Sequence, residues 1–438
     1  MEFWEKLIEF ISLSDSNVRN VVLGTMLIGA TSAIVGGFAV LRKRSLVGDA
    51  ISHAVLPGIC LAFILFDTRN PVILLIGAFI AGWFSIIIMD LIIDKSKIKS
   101  DAAIGTVLSV FFGFGMLLLT SIQHSGNAAQ SGLDSFLFGK AATLMGSDLV
   151  TFLVVSVVLL ILVVVFLHQF EIIAFDPDYA KAIGMPVRFY EILISSMTVL
   201  AVTIGIQAVG VVLMAALIIT PTVAARYWSD KLIVVLILAG AIGAFANLTG
   251  AFVSYLQPSS PTGPWIIVTL SMLAFASLLF APNRGYIFRQ IRKRNFHRTM
   301  LKENVLKTLY KRREGGQNYD APFMKNEILE EGTMRKNNLN LALDLLIKDG
   351  MLTKKSDAYK LTVAGVKNGQ HVVRLHRLWE LYLTNVLNTP INQVHENAEA
   401  IEHILTPELE EKLEQMLAAP NEDPHHKPIP KNPYKNDN

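Results

Sequence analysis

Residues 48–58 read GDAISHAVLPG, and they place a carboxylate and an imidazole inside a long apolar run. Positions four residues apart share one face of a helix, so Asp49 and His53 point toward the same object. Ionisable groups are costly in a membrane segment and generally mark an ion or substrate pathway. One oxygen and one nitrogen ligand suit a divalent transition metal such as manganese, zinc or iron. The alternative is an interfacial pair near the end of a span, satisfied by water or by each other.

The composition around this stretch is that of a polytopic membrane protein. Of the 438 residues, 52% are hydrophobic and 17% are charged, and the net charge is +3. The mean hydropathy of +0.45 excludes a disordered chain. The single cysteine, Cys60, lies in an apolar run, which excludes a disulfide framework and a thiolate metal cluster.

Uncharged runs long enough to cross about 30 Å of hydrocarbon recur through the first two-thirds of the chain. The predicted single spans are 21–41, 45–66, 71–89, 102–123 and 149–167. Residues 192–225 are long enough for two spans that bend around Gly205, Gln207 and Gly210, and residues 232–283 hold two more. The pattern therefore predicts eight or nine spans.

Basic residues orient this predicted bundle, because cytoplasmic loops of membrane proteins are enriched in lysine and arginine. They cluster in five loops, 42–44, 95–99, 181–188, 226–231 and 284–298. These loops alternate correctly with nine spans and an extracellular N-terminus. We therefore predict a multi-pass protein of the cell membrane with a cytoplasmic C-terminal domain, whose basic residues 289–294 contact anionic membrane lipid.

The composition becomes that of a soluble domain after residue 283. The predicted fold class is mainly α, with a polytopic helical membrane bundle followed by a winged helix-turn-helix and a helical dimerisation or metal-binding module. The predicted divisions are a transmembrane domain at 1–283, a basic linker at 284–300, a winged-helix-like domain at 301–365, a helical module at 366–419 and a Pro-rich, loosely ordered tail at 420–438.

Residues 48–58 strongly resemble the corresponding stretch of the membrane permeases of manganese, zinc and iron ABC importers. Residues 174–184, AFDPDYAKAIG, resemble the cytoplasmic coupling segment of the same permeases, and 218–221 and 261–264 add shorter similarities. The resemblance covers about 15–283. It implies that 174–184 sits in a cleft of the ATPase and transmits ATP-driven closure. The coupling residues would be Asp176, Pro177, Asp178, Ala180, Ala182 and Gly184.

The coupling segment also has a physical reading of its own. It predicts a short helix with Pro177 near its start, acids in its first turn and Gly184 at its C-terminal end. The alternative is an ordinary loop helix.

The resemblance implies a set of partner proteins that carry out the other steps of transport. The partners would be an ABC ATPase subunit, an extracellular metal-binding lipoprotein or periplasmic protein, and a second permease copy or a paralogue. The chain lacks a phosphate-binding loop, because Gly132 and Gly139-Lys140 have the wrong spacing and Ala141 follows. We therefore expect no nucleotide bound by this chain and no enzymatic activity of its own, with ATP hydrolysed by the partner.

A second group of potential metal ligands lies near the C-terminus. His395, Glu399, Glu402 and His403 fall on one stripe of a predicted helix, and His376 and Glu380 form another i, i+4 pair upstream. Six imidazole and carboxylate groups at such spacings are typical of a divalent-metal sensor site. The alternative is a solvated polar face.

Residues 373–403 and 423–430 resemble the diphtheria-toxin-repressor and manganese-regulator family, with similarity over about 300–430. The resemblance implies a winged helix, a dimerisation module and regulatory manganese or iron bound by those six residues. Three positions depart from the family pattern. Asn304 and Lys307 stand where metal ligands are expected, and His426 stands where the family usually has glycine.

The leading hypothesis is the permease subunit of an ATP-driven importer of a divalent metal, with manganese ahead of zinc and iron and with a C-terminal metal-sensing or dimerising appendage. The alternative is a membrane-anchored, metal-responsive transcriptional regulator. A secondary transporter is a third possibility, against which segment 174–184 argues. DNA binding stays open, because the candidate recognition helix at 334–349 mixes acidic with basic residues.

Overall fold

The computed structural model describes residues 2–42, 44, 46–68, 70–124, 139, 144–257, 260–314, 321–331, 334–390, 394, 403, 405–418 and 420–434. The chain divides into two compact units, Met1–Arg289 and Gln290–Asn438. Both units are mainly helical, and the second adds a small sheet. The expected class, a helical membrane bundle followed by a winged-helix-like domain, is confirmed.

The first unit is a bundle of apolar helices. They are α1 (Glu2–Ser12), α2 (Ser16–Leu41), α3 (Leu46–Ala54), α4 (Leu56–Phe66), α5 (Pro71–Lys95), α6 (Ser100–His124), α7 (Gly146–Val165), α8 (Leu167–Phe175), α9 (Pro177–Ala182), α10 (Val187–Val209), α11 (Val211–Ala225), α12 (Leu232–Leu256) and α13 (Thr262–Phe280). Eight segments of the described chain are long and apolar enough to cross a membrane, with α3 and α4 together forming one of them. This number agrees with the predicted eight or nine.

The ninth predicted span corresponds to the shorter helix α11. Its 15 residues would extend about 22 Å along the helix axis, less than the roughly 30 Å of a hydrocarbon core. The chain turns between α10 and α11 at Gly210, whose φ of +88° and ψ of 164° fall in a region that only glycine adopts readily. Gly205 and Gln207, also expected at the bend, instead lie buried inside α10.

Helix α2 lies at the centre of the bundle and packs against α10, α11 and α12. Glycines allow the close crossing of α2 with α12, because a Cβ atom on Gly29 would lie 2.7 Å from the carbonyl oxygen of Gly243. Gly243 is equally restricted by the backbone of Gly29. This close crossing fixes the position of α2. The connection to α3 begins at the C-terminal end of α2 and is therefore positioned with it.

Three ion pairs tie basic regions of the bundle to neighbouring segments, in two separate groups. They are Arg42–Glu191 at 2.7 Å, Arg44–Asp90 at 2.8 Å, and Arg284–Asp230. The first two join the α2–α3 connection to the starting turns of α10 and to the last turns of α5. The third joins the α11–α12 connection to the residues after α13. These contacts agree with the expectation that the basic loops share one side of the membrane.

The second unit contains the predicted winged helix. Helix α14 (Tyr286–Arg313) leads into it, and β1 (Phe323–Met324), α15 (Lys325–Glu331), α16 (Lys336–Lys348), β2 (Leu352–Lys355), β3 (Ala358–Leu361), α17 (Val363–Asn385) and α18 (Pro407–Met416) follow. The strands form an antiparallel sheet in the order β1-β3-β2, with Phe323 opposite Tyr359 and Thr353 opposite Lys360. Leu301, Leu343 and Leu361 belong to its separate hydrophobic core.

The Pro-rich tail was expected to be loosely ordered, and this expectation is wrong for residues 420–434. Arg377 donates a hydrogen bond of 2.6 Å to the carbonyl oxygen of Pro428, and Arg374 donates one of 2.8 Å to that of Pro430. Gln370 donates to the carbonyl oxygen of Lys431. Carbonyl groups remain available in a proline-rich segment, and the buried guanidinium groups of α17 use them as acceptors.

Candidate functional site

Helix α3 presents Asp49 and His53 as its accessible polar side chains. The other residues from Gly48 to Ala54 are all buried. The side chain of Asp49 is 37% exposed and that of His53 is 22% exposed, and 3.6 Å separates Asp49 Oδ1 from His53 Nε2. The helix therefore brings the two side chains together on one face, as their spacing predicts, while the surrounding residues pack into the bundle.

The imidazole of His53 is held on its other side by an aromatic ring. Its ring meets that of Phe112 on α6 edge to face, with 4.9 Å between the centroids and 81° between the planes. His53 Nδ1 is buried and has no hydrogen-bond partner among the described residues. Pro57, four residues further on, has no N–H group to donate to the carbonyl oxygen of His53. A buried polar atom without a partner is uncommon and suggests a bound water or ion.

Asp49 and His53 together offer two potential metal ligands. Within the described chain, no group of three or more His, Cys, Asp or Glu side chains is arranged to hold a metal ion. Two ligands leave the other coordination positions of a divalent metal to water or to another chain. Such a site can bind a metal in passing, because few protein ligands have to be exchanged for the metal to leave.

The coupling-like segment 174–184 forms helix α9 with the predicted ends. Asp176 caps the helix by accepting a hydrogen bond of 2.9 Å from the backbone N–H of Tyr179, and Pro177 occupies the first turn. Gly184 ends the segment with a φ of +82°. Five of the six predicted coupling residues, Asp176, Pro177, Asp178, Ala182 and Gly184, are exposed. Ala180 is fully buried and packs with Ile173 and Val187.

Sequence reasoning missed three exposed apolar side chains on this segment. Phe175, Tyr179 and Ile183 are 61%, 55% and 50% exposed. Phe175 ends α8, Tyr179 lies on α9 and Ile183 follows the end of α9. Their recurrence at intervals of four residues is visible in the sequence, although the non-helical backbone at Asp176 separates Phe175 from α9. Exposed large apolar side chains outside a membrane span are typical of a protein-binding surface.

The structure describes three of the six C-terminal ligand candidates. His376 and Glu380 lie on α17 with 3.2 Å between His376 Nε2 and Glu380 Oε1, and their side chains are 1% and 3% exposed. His403 Nδ1 lies 2.6 Å from Glu303 Oε2, and the side chain of His403 is 3% exposed. His395, Glu399 and Glu402 lie outside the described residues. Buried imidazole and carboxylate groups are chemically suited to manganese or iron.

Glu303 and His371 are two residues of this region that the sequence did not single out. Both line a cavity of about 160 Å³ together with Lys302, Asn368 and His403. Burial lowers the pKa of His371, with the nearby carboxylate of Glu410 opposing that effect. Glu303 precedes Asn304, one of the three positions that depart from the family pattern, and it brings a carboxylate from α14 to His403.

The other departures also have structural counterparts. Lys307 is buried, with 6% of the residue exposed, so a cation lies within the core of this domain. His426 has a φ of +58°, in the left-handed region that favours glycine. The backbone conformation therefore explains why glycine suits that position.

The bundle, its intramembrane Asp–His pair and the capped helix between spans define a polytopic membrane transport protein. The chain belongs to the ABC 3 transport family, whose family model matches residues 14–281. Residues 362–431 match a second family model, the metal binding and dimerisation domain of iron-dependent repressors. Both resemblances stated from the sequence are thereby confirmed.

Named relatives span most of the chain. The manganese transport system membrane protein MntC of Bacillus subtilis is 38% identical over 382 residues, which cover 85% of this chain and 86% of that protein. The zinc transport system membrane protein TroC of Treponema pallidum is 42% identical over 281 residues, or 64% of this chain and 94% of that protein. The solved structure of PsaBC from Streptococcus pneumoniae in complex with a Fab is 33% identical, with a TM-score of 0.58, and the match covers 65% of this chain and 99% of that chain.

Proposed function

We propose that this chain is the permease subunit of an ATP-driven importer and that its cargo, a divalent transition metal, passes Asp49 and His53. The observation that carries the proposal is the accessible carboxylate–imidazole pair on α3, in a span that is otherwise buried or apolar. A pair that only satisfied itself would not explain why His53 Nδ1 is buried without a described partner. Membership of the ABC 3 transport family supports the same assignment.

Manganese is the cargo that we propose first, with zinc and iron as the alternatives. Carboxylate oxygen suits manganese and imidazole suits zinc and iron, so the donor pair alone admits all three metals. The relative that covers 85% of this chain is named for manganese transport, and the TroC relative is named for zinc transport. The C-terminal match to a metal-binding repressor domain agrees with manganese or iron as a regulatory ion.

ATP hydrolysis is assigned to a separate ATPase subunit that docks on segment 174–184. The exposed ends of α9 and the apolar side chains of Phe175, Tyr179 and Ile183 support this docking surface. An extracellular metal-binding lipoprotein or periplasmic protein would deliver the metal on the opposite side. A second permease copy or a paralogue would supply the remaining ligands of the pathway, since each chain offers two.

The chain is placed in the cell membrane with its C-terminal unit in the cytoplasm, where the basic loops lie. Tyr286, Phe288 and the basic residues 289–294 would contact anionic lipid at that surface. The C-terminal domain is assigned a metal-sensing or dimerising role that modulates transport. His376 and Glu380 would hold the regulatory manganese or iron together with His395, Glu399, Glu402 and His403. That ion would supply a charge that orders the segments carrying its ligands.

Uptake of radioactive manganese tests the pathway assignment. Cells would contain the full chain with its ATPase, as wild type or as Asp49→Ala or His53→Ala at matched membrane expression. We expect each variant to lose at least about 90% of uptake, a tenfold effect that corresponds to about 1.4 kcal/mol. Asp94→Ala is the matched control, since Asp94 is exposed at the end of α5.

The results also separate the competing functions. Normal uptake by both variants would make Asp49 and His53 structural and would refute the pathway. If the wild type moved no metal while His376→Ala changed metal-dependent gene expression, the membrane-anchored transcriptional regulator would replace the permease. Uptake that continued without the ATPase would indicate a secondary transporter.

A further inference from the structure

Four charged side chains form a cluster where the α2–α3 connection meets α5 and α10. Arg42 pairs with Glu191 at 2.7 Å and Arg44 pairs with Asp90 at 2.8 Å. The side chain of Arg42 is only 9% exposed, whereas those of Arg44 and Asp90 are 33% and 41% exposed. The sequence analysis used Arg42 and Arg44 only as basic residues that orient the bundle, and the proposed function gives none of the four residues a role in transport.

Arg42 stands at the start of the connection that leads to the metal pair. It is the C-cap residue of α2, and α3 begins four residues later at Leu46. The connection is compact, because the backbone N–H of Arg44 donates to Ala39 and that of Val47 donates to Arg44. Asp49 lies in the first turn of α3, only seven residues after Arg42 along the chain.

Glu191 stands at the start of the helix that follows the coupling segment. Val187, in the first turn of α10, packs with Ala180 of α9 and Ile173 of α8. The backbone N–H of Met185 donates to Ala180, and that of Val187 donates to Met185. The coupling segment is therefore packed onto the first turn of α10, one helical turn before Glu191.

We propose that the Arg42–Glu191 ion pair links the coupling segment to α3 and so positions Asp49 and His53 in response to the ATPase. This inference rests on the proposed permease function and extends it to two residues outside the Asp49–His53 pair and outside segment 174–184. A movement of α9 would displace the start of α10, because Val187 packs against Ala180. Glu191, one turn further along α10, would pass that movement to Arg42 and the α2–α3 connection.

The environment of Arg42 makes the pair suited to this role. Burial lowers the pKa of Arg42, and the Glu191 carboxylate opposes that effect. Arg42 is the buried member of the pair, since its side chain is 9% exposed and that of Glu191 is 39% exposed. A buried charge interacts more strongly with its partner than an exposed one does, and loss of the Glu191 carboxylate leaves the Arg42 charge without compensation. Arg44–Asp90 is the comparison pair, because its ion pair ties the same connection to α5 rather than to Glu191 of α10.

Charge reversal in proteoliposomes tests the link. The full chain would be reconstituted with its ATPase as wild type, as Arg42→Glu, as Glu191→Arg and as the double variant, and metal uptake and ATP hydrolysis would be measured on the same vesicles. We expect each single reversal to lower the metal moved per ATP by about tenfold, within the 5–150-fold range of allosteric couplings. The double variant should recover to within about threefold of wild type, because the pair is restored in the opposite sense.

The comparison pair and the wild type distinguish the possible failures. Arg44→Glu should change the metal moved per ATP by less than about threefold, since that pair is more exposed. The link is refuted if either single reversal, assembled with the ATPase, transports normally, or if the assembled double variant is no better than the singles. If the wild type hydrolyses ATP and moves no manganese, zinc or iron, the proposed function fails and the link with it.

Where a single reversal does not assemble with the ATPase, Arg42→Lys and Glu191→Gln replace it. Lysine keeps the charge and glutamine removes it with little change in shape. If the link exists, Glu191→Gln lowers the metal moved per ATP more than Arg42→Lys does. The opposite order contradicts the link.

Discussion

Glu303 lies within hydrogen-bond distance of one ring nitrogen of His403, with 2.6 Å between Oε2 and Nδ1. A carboxylate in its ionised form only accepts hydrogen bonds, and opposite that form His403 Nδ1 is the donor. The lone pair of the neutral ring then lies on Nε2, which is the atom that can bind a metal. Histidine ligands of metals are commonly oriented by a carboxylate in this way. Glu303 would thus be a positioning residue of the proposed C-terminal metal site.

Glu303→Gln is expected to weaken manganese binding by the C-terminal domain about 10–100-fold, the usual cost of losing such a partner. Equilibrium dialysis with radioactive manganese would measure the affinity. The full-length protein would carry Asp49→Ala and His53→Ala, so that the pathway site does not contribute. Glu411→Gln is the control, because Glu411 is exposed on α18. Equal affinities for the two variants would show that Glu303 does not orient a ligand.

The sequence reveals only the local part of these residue-scale arrangements. Asp49 with His53 and His376 with Glu380 can be read directly, because both pairs lie on single helices at i, i+4. The contact of His403 with Glu303 joins residues 100 positions apart and depends on how α14 packs. The orphaned Nδ1 of His53 likewise depends on burial, which the spacing does not determine.

At the scale of the element, helix α9 presents two different faces. Ala180 packs inward with Ile173 and Val187, while Tyr179 on the same helix is exposed, as are Phe175 before the helix and Ile183 after it. The resemblance to coupling segments gave the location and ends of the helix correctly. The assignment of its faces needed the packing against α8 and α10, because a helix of six residues has too few turns for a periodic pattern.

Tyr179→Ala should weaken docking of the ATPase, because an exposed aromatic side chain that becomes buried at an interface commonly contributes at least about 2 kcal/mol, or roughly 30-fold in affinity. Co-purification of the ATPase from detergent extracts, followed by titration of the ATPase onto the immobilised permease, would measure the loss. Lys181→Ala is the control on the same helix, since the Lys181–Asp178 pair is well exposed and such pairs contribute little. Undiminished docking by Tyr179→Ala would remove the apolar face from the interface.

The division of the bundle into spans cannot be predicted from hydropathy alone, because it also depends on where the backbone bends. Eight spans follow from uncharged length alone, but residues 192–225 could be divided in several ways. Gly210 determines the division, since its φ of +88° places the turn between α10 and α11. Composition gives three candidate residues for that bend, and the backbone conformation selects one of them.

At the scale of the whole molecule, the chain consists of two units with separate hydrophobic cores. Arg377 helps to hold the second unit together, because its side chain is 1% exposed and contacts three segments. It donates a hydrogen bond of 2.6 Å to Glu314 after α14, lies 3.3 Å from Asp423, and donates to the carbonyl oxygen of Pro428. The Pro-rich composition of the tail does not predict this ordered packing, because it gives no sign that Arg377 binds the tail.

Arg377→Leu should destabilise the second unit and leave the first unit intact. The change leaves Asp423 buried without its cationic partner, and removing one member of a buried ion pair costs about 3–5 kcal/mol. Hydrogen exchange of the full-length protein, followed by mass spectrometry, would measure the effect, with protection expected to fall in α17 and residues 420–434 and to persist in α2 and α12. Lys412→Leu is the control, because Lys412 is exposed on α18. The two cores share no residue, so the two units are predicted to unfold independently. A loss of protection in α2 that matched the loss in α17 would contradict this prediction and mean that the units unfold together.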